Sequence, residues 1–123
     1  MKLLNNDSTR IFLGGFSQGC MVSIHVKNSL KYPLGGLITI GGFKSDYTEI
    51  KEDADFSNTL IIHGTEDETV KWDFAKKSLE PILKKDGVQV CLIEGMGHNL
   101  YSSELRKKVH DFIRERCKYN ATL

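Results

Sequence analysis

Apolar residues in this chain fall into short continuous runs that are separated by longer stretches of mixed polarity. Four runs are aliphatic-rich and bounded by glycine or polar residues, which is typical of buried strands. These predicted strands are residues 10–16, 37–40, 59–63 and 88–93. After the first, third and fourth runs, apolar residues recur at helical spacing. The predicted helices cover residues 18–30, about 70–83 and about 101–113.

Each predicted helix has one face on which apolar residues recur. The predicted faces are Met21, Ile24, His25 and Leu30; Val70, Phe74, Leu79, Ile82 and Leu83; and Tyr101, Leu105, Val109, Phe112 and Ile113. Pro81 lies inside the second pattern, where a proline breaks or kinks a helix. Gly87 follows at a position suited to a left-handed residue after a helix.

The alternation of strands and helices predicts an α/β fold. Right-handed crossovers between the strands would give a parallel sheet with helices on both of its faces. A chain of 123 residues is long enough for one core. We therefore expect residues 1–123 to form a single domain.

The composition of the chain indicates which partners and which cellular compartment to expect. Lys and Arg number 17 against 16 Asp and Glu, and no basic stripe stands out, so nucleic acid is not an expected partner. No apolar run approaches the roughly 20 residues of a membrane span, and the N-terminus offers no secretory signal. Cys20, Cys91 and Cys117 are an odd number without CxxC spacing. These features predict a cytoplasmic protein with reduced thiols, no integral membrane segment, no metal and no cofactor.

The first strand runs into Gly15-Phe16-Ser17-Gln18-Gly19, which fits the G-x-S-x-G pattern of a nucleophile elbow. This chemistry needs a serine on a sharp turn between a strand and a helix, where its hydroxyl is exposed above the sheet. A side chain on either flanking glycine would clash in such a turn. A strand precedes the motif here and a helix follows it, which is the context that the pattern requires.

An acid and a base follow two later strands. Asp67 comes just after the third strand, and His98 lies in a glycine-rich loop after the fourth. The carboxyl ends of parallel strands meet at one edge of a sheet, so both side chains should lie near Ser17. We predict that Ser17 attacks a carbonyl carbon, that His98 moves the proton, and that Asp67 orients the imidazole.

Each of these residues also has an ordinary structural interpretation. Ser17 is a good helix N-cap, Asp67 fits a loop or capping carboxylate with Glu66 and Glu68 as rivals, and His98 fits a surface loop. Structural or solvated roles are favoured for the other histidines, which are His25, His63 and His110. Cys20 lies near a helix N-terminus that would favour a thiolate, but a small packing residue is the favoured interpretation.

Taken together, these motifs resemble the acyl-protein thioesterase and carboxylesterase family, also called the lysophospholipase-like group. The resemblance rests on residues 14–19, on His63-Gly64-x-x-Asp67-x-x-Val70 and on Gly97-His98. It implies an α/β-hydrolase fold with Ser17, Asp67 and His98 as its catalytic triad. It also implies substrates that are acyl esters or thioesters, including S-acylated proteins.

The chain departs from the family pattern in three ways. Cys20 stands where another glycine is usual, and Ile40-Gly41-Gly42-Phe43 lacks the usual serine-containing turn. Family members also begin with several strands and a glycine-rich loop that this sequence does not contain. We therefore expect a partial fold, the C-terminal half. The resemblance implies that the backbone N–H of Gln18 is one hydrogen-bond donor to the oxyanion. In family members, the glycine-rich loop of the N-terminal half supplies the second donor.

The same resemblance places the strand at 10–16 at an open edge of the sheet. Its apolar run, Ile11-Phe12-Leu13, would invite pairing with a second copy or with a partner chain.

Three hypotheses for function follow. The first is a serine esterase or thioesterase that is impaired as an isolated chain. The second is a non-catalytic α/β-hydrolase-like subunit of a larger assembly. A hydrolase of dienelactone type, with a different substrate, also fits the motifs.

Overall fold

The computed structural model describes residues 7–117. A short 3₁₀ turn at Ser8–Arg10 precedes the first strand, which is therefore shorter than predicted. The elements then follow in the order β1 (Phe12–Phe16), α1 (Gln18–Ser29), β2 (Gly36–Ile40), β3 (Thr59–Gly64), α2 (Trp72–Leu83), β4 (Val88–Ile93) and α3 (Ser103–Arg116).

The strands form one parallel sheet in the order β1-β2-β3-β4. The register aligns Leu13 with Leu37, Leu37 with Thr59, and Thr59 with Val88. The predicted α/β class and the parallel sheet are therefore confirmed. Within residues 7–117, no helix is long and apolar enough to cross a bilayer.

Helices cover both faces of the sheet, as predicted. One core layer packs α1 and α2 against the sheet, and it contains Ile24, Leu37, Phe56, Ile61, Val70, Ala75, Leu79 and Ile82. The other packs α3 against the opposite face, and it contains Ile38, Leu60, Ile62, Ile93, Met96, Leu105 and Phe112. Successive strand residues point to opposite faces, so neighbouring residues such as Leu37 and Ile38 belong to different layers.

The predicted apolar face of α1 is wrong in part. Ile24 is buried, but His25 is exposed and Met21 and Leu30 are only half-buried. The side that faces the sheet is instead formed by Cys20, Ser23, Ile24, Lys27 and Asn28. Polar residues occupy it because each finds a hydrogen-bond acceptor or donor in the interior.

The segment between β2 and β3 contains no helix, and polar side chains of α1 anchor it. Asn28 donates to the Glu49 carbonyl and accepts from the Lys51 N–H, at 2.8 and 2.9 Å. The Lys27 ammonium donates to the Asp55 carbonyl and lies over the Phe56 ring. Burial lowers the pKa of Lys27, although the nearby Asp55 carboxylate opposes this shift.

The predicted apolar faces of α2 and α3 are also wrong in part. The buried residues of α2 are Ala75, Leu79 and Ile82, whereas Phe74 is 57% exposed and packs edge-on against Phe43. Tyr101 lies before α3, because Ser102 caps the helix by accepting the Leu105 N–H, and the Tyr101 side chain is 84% exposed.

Pro81 lies inside α2, which continues to Leu83. Its ring is on the exposed side of the helix, so the backbone carbonyl that loses its N–H partner can bind water. Gly87 has the predicted left-handed conformation, with φ of 82°.

Replacement of Leu79 by alanine should lower the free energy of unfolding by about 2–5 kcal/mol, because it leaves a cavity under α2. Val22 on α1 is 64% exposed, so Val22→Ala should change stability by no more than about 0.5 kcal/mol. Urea denaturation of both variants checks this difference. Equal losses would contradict the assignment of the core.

Candidate active site

Ser17 occupies the junction between β1 and α1 in a strained conformation, with φ of 55° and ψ of −116°. Its N–H donates to the Ile40 carbonyl of β2 at 3.0 Å, which fixes the turn to the neighbouring strand. The hydroxyl makes no capping bond to the described part of α1. Ser17 therefore occupies the N-cap position of α1, with its carbonyl accepting the Cys20 N–H, but its side chain does not act as a cap.

The two glycines that flank Ser17 differ in their surroundings. A Cβ on Gly15 would lie 2.2 Å from the Gly19 carbonyl oxygen, so the predicted clash exists there. A Cβ on Gly19 would meet nothing within 4 Å among the described residues. The prediction that a side chain would clash on either side is therefore correct for Gly15 and wrong for Gly19.

His98 links the other two predicted residues. Its Nε2 lies 3.0 Å from Ser17 Oγ, and its Nδ1 lies 2.7 Å from Asp67 Oδ2. A carboxylate only accepts hydrogen bonds, so Nδ1 carries the proton and Nε2 is left to accept the Ser17 O–H. The structure thus brings together the hydroxyl, the imidazole and the carboxylate that the sequence singled out.

Asp67 is buried, and its two oxygens have different partners. Oδ2 faces His98, whereas Oδ1 accepts the N–H groups of Thr69 and Val70 at 3.0 and 2.8 Å. The carboxylate therefore caps its own turn and faces the imidazole at the same time. Its two rivals, Glu66 and Glu68, are exposed.

His98 is held from two further sides. The Phe16 ring packs against the imidazole with centroids 4.8 Å apart. Gly41, with φ of 59°, lies beneath the hydrogen bond between His98 and Asp67; a Cβ there would lie 3.4 Å from Asp67 Oδ2. Sequence analysis missed the role of Phe16, although this residue lies inside the elbow motif.

Gln18 is the first residue of α1. Its N–H is one of those at a helix start that have no partner within the helix. Because it directly follows Ser17, it is available to an oxygen atom above the elbow. The role of Gln18 as an oxyanion donor stays a prediction.

Cys20 is a buried packing residue, and the thiolate interpretation is wrong. Burial raises the pKa of the Cys20 thiol to about 11, against the smaller opposite effect of backbone hydrogen bonds. The sulfur lies 3.2 Å from the Gly15 carbonyl oxygen and 3.4 Å from that of Ile40. It also fills the space that a Cβ on Gly42 would need, so Cys20 and Gly42 fit each other.

The other histidines lie outside this hydrogen-bond chain. His63 is fully buried, which rules out a solvated role, and its Nε2 lies 2.6 Å from the Val70 carbonyl oxygen. His25 is exposed on α1 and contacts Thr48, while His110 is exposed on α3. Their positions agree with the structural or solvated roles predicted for them.

Comparisons with known proteins identify relatives of this chain. A family model described as phospholipase/carboxylesterase matches residues 3–117. Acyl-protein thioesterase 1 of Yarrowia lipolytica is 31% identical over 105 residues, which are 80% of this chain and 46% of that protein. Acyl-protein thioesterase 1 homolog 2 of Dictyostelium discoideum is 34% identical over 112 residues, which are 86% of this chain and 50% of that protein.

Solved structures share the fold. Arabidopsis thaliana SOBER1 matches with a TM-score of 0.75 and 23% identity, over 94% of this chain and 57% of that one. Esterase PE8 matches with a TM-score of 0.78 and 22% identity, over 93% of this chain and 54% of that one. The chain spans about half the length of the curated relatives it matches. The predicted partial fold agrees with this coverage.

The elbow gives a matched pair of glycine variants. Gly15→Ala should lower the free energy of unfolding by about 1–3 kcal/mol or more, because its Cβ has no room beside the Gly19 carbonyl. Gly14→Ala should be tolerated, since its Cβ would lie 3.7 Å from the nearest atom, the Ile38 carbonyl oxygen. Urea denaturation measures both. A stable Gly15→Ala protein would contradict the described turn.

Proposed function

This chain belongs to the phospholipase/carboxylesterase family, and we propose that it hydrolyses carboxylic ester or thioester bonds through Ser17, His98 and Asp67. The observation that carries the proposal is the unbroken hydrogen-bond chain from Asp67 Oδ2 through His98 to Ser17 Oγ. In this arrangement Ser17 is the nucleophile, His98 the general base, and Asp67 the carboxylate that orients the imidazole.

The reaction proceeds through an acyl-enzyme intermediate. Ser17 Oγ attacks the substrate carbonyl carbon while His98 Nε2 takes its proton, and the oxyanion that forms accepts the Gln18 N–H. The intermediate collapses as His98 returns the proton to the departing alcohol or thiol. Water then attacks the acyl-serine with His98 again as base, which releases the carboxylic acid and restores Ser17.

Acyl esters and S-acylated proteins are the substrates that the relatives suggest. The curated relatives are named acyl-protein thioesterases. A thiolate leaves more readily than an alkoxide, so the same three residues serve both ester classes. A lactone of the dienelactone type would use the same chemistry, and the substrate specificity would come from walls around the site.

We expect turnover by the isolated chain to be slow. Gln18 supplies one oxyanion donor, and the fold normally takes a second from a loop before the elbow strand. Within residues 7–117, only the 3₁₀ turn at Ser8–Arg10 comes before that strand. Loss of one such donor typically lowers turnover by about 100 to 1000-fold. The alternative, a non-catalytic subunit, would show no reaction at Ser17 at all.

An exposed surface on β1 and α1 supports a partner that restores this donor. The Ser17 N–H points to β2. Because successive residues of a strand direct their N–H and C=O groups to opposite sides, those of Phe12, Gly14 and Phe16 point away from β2. On α1, Ser23 reaches the Gly14 carbonyl, which places Val22 and Val26 on the flank nearer this edge. Val22 is 64% exposed and Val26 38%. We refer to this surface as the β1–α1 edge.

We propose that the occupant of the β1–α1 edge is the polypeptide that corresponds to the part of the relatives this chain does not match. That part is about half of their length. A strand from it would satisfy the outward backbone groups of β1, and its apolar side chains would cover Val22 and Val26. The open space beside Gly19 allows a backbone to approach α1 closely.

A fluorophosphonate probe tests the catalytic proposal. The probe should label the wild-type chain, and Ser17→Ala should abolish labelling because the reacting oxygen is lost. Ser29→Ala removes an exposed hydroxyl on the same helix and should leave labelling unchanged. His98→Ala should slow labelling by about 1000-fold or more. A folded wild-type chain that the probe does not modify would favour the non-catalytic alternative.

Addition of the unmatched part of the Yarrowia lipolytica thioesterase, as a separate polypeptide, tests the β1–α1 edge. Sedimentation velocity should detect a 1:1 complex with this chain, and labelling by the probe should become faster by about 100-fold or more. Val22→Glu should weaken the complex, because it places a charge on an apolar contact. Tyr47→Glu, at a residue that is 98% exposed in the segment between β2 and β3, should not.

Two outcomes would contradict this second prediction. One is a stable dimer of the chain alone that Val22→Glu disrupts, because the occupant would then be a second copy. The other is the absence of any complex with the added polypeptide. Neither outcome affects the probe result, which decides the catalytic proposal separately.

A further inference from the structure

His63 is the last buried polar residue before the C-terminal end of β3, and none of the catalytic roles above includes it. Its side chain is fully buried. Nε2 lies 2.6 Å from the Val70 carbonyl oxygen and 3.7 Å from Asp67 Oδ2. Nδ1 has no hydrogen-bond partner among residues 7–117. The ring packs against Trp72 with centroids 5.3 Å apart.

These contacts determine which nitrogen of His63 carries the proton. A carbonyl oxygen only accepts hydrogen bonds, so Nε2 must donate to Val70. A proton on Nδ1 would be a buried donor without an acceptor, which is unfavourable. The described environment therefore favours the tautomer with its proton on Nε2. The same nitrogen lies 3.7 Å from Asp67 Oδ2, which is beyond hydrogen-bond distance.

Val70 connects His63 to the catalytic carboxylate. Its carbonyl accepts from His63, and its N–H donates to Asp67 Oδ1 at 2.8 Å. Thr69 donates a second N–H to the same oxygen. Oδ1 is thereby fixed, and the remaining oxygen, Oδ2, is directed to His98. The bond from His63 closes this turn onto β3.

We propose that His63 is a positioning residue that holds the turn 67–70, and through it the Asp67 carboxylate, in line with His98. Its effect on turnover rests on the proposed function. Its effect on the hydrogen bond between Asp67 and His98 does not, since this bond exists whether or not the chain is an enzyme. Small displacements of a reacting group are costly, since about 1 Å can lower a rate by about 100-fold.

Two amide variants separate this role from simple core packing. The side-chain nitrogen of glutamine can occupy the place of Nε2 and donate to Val70, whereas that of asparagine corresponds to Nδ1 and faces no acceptor among the described residues. His63→Gln should therefore retain kcat within a few-fold of wild type. His63→Asn should lower kcat by about 10 to 100-fold with KM little changed. The substitution would displace Asp67 and His98, whereas the substrate-binding surface would stay in place.

Proton NMR of the same proteins gives a readout that needs no turnover. The proton shared by His98 Nδ1 and Asp67 should give a far-downfield resonance in wild type and in His63→Gln. That resonance should shift upfield or exchange with solvent in His63→Asn. Phe112→Leu is the control for lost stability: Phe112 is buried in the core layer on the opposite face of the sheet, beside Phe12 at the start of β1, and the variant should keep both the resonance and kcat.

The proposal is overturned if folded His63→Asn keeps the wild-type resonance, or if folded His63→Gln loses it. If the asparagine variant does not fold, nitrogen-15 NMR of wild-type His63 decides instead. A proton on Nε2 with coupling to the Val70 carbonyl supports the proposal, and a proton on Nδ1 contradicts it. Absence of hydrolysis in wild type together with an intact resonance would count against the proposed function alone.

Discussion

The parallel pairing of β1 to β4 is the constraint on which the candidate site depends. It places the carboxyl ends of all four strands at one edge of the sheet, so that the residues after β1, β3 and β4 meet there. Ser17, Asp67 and His98 each follow a different one of these strands. Residues far apart in the chain can therefore form a hydrogen-bond chain with distances of 2.7 and 3.0 Å.

The strained turn at Ser17 is maintained by its neighbours. A residue other than glycine at positive φ costs about 1–3 kcal/mol, and it persists only where the surroundings enforce it. Here the Ile40 carbonyl binds the Ser17 N–H, and Gly15 allows the close approach of Gly19. Cys20 fills the space next to Gly42 and is kept as a neutral thiol by burial. The strain leaves the Ser17 hydroxyl free of the helix and directed to His98.

Helix α1 has an unusual distribution of polar and apolar residues. Helix α1 buries polar side chains against the sheet and the segment 44–57, while Val22 and Val26 remain exposed. Helix α1 therefore lacks the clear separation of apolar and polar faces that is typical of a surface helix. The polypeptide that we propose as the occupant of the β1–α1 edge would cover Val22 and Val26.

Much of the fold and of the site followed from the sequence alone. The four strands were predictable because strands buried on both faces read as short apolar runs. Ser17, Asp67 and His98 were predictable because glycine-rich turns follow those strands in a characteristic order. For the same reason the α/β class and the parallel sheet needed no coordinates.

Tertiary structure decided what periodicity cannot specify, which is the neighbour that each helix face meets. Phe74 and His25 fit apolar patterns but are exposed, because the sheet lies on the other side of each helix. Lys27 is buried because the Asp55 carbonyl lies within its reach. The bond from His63 to Val70, and the packing of Phe16 on His98, likewise depend on how separate segments come together in space. A sequence records residue types and their spacing, whereas these contacts depend on distances between elements that only the folded chain sets.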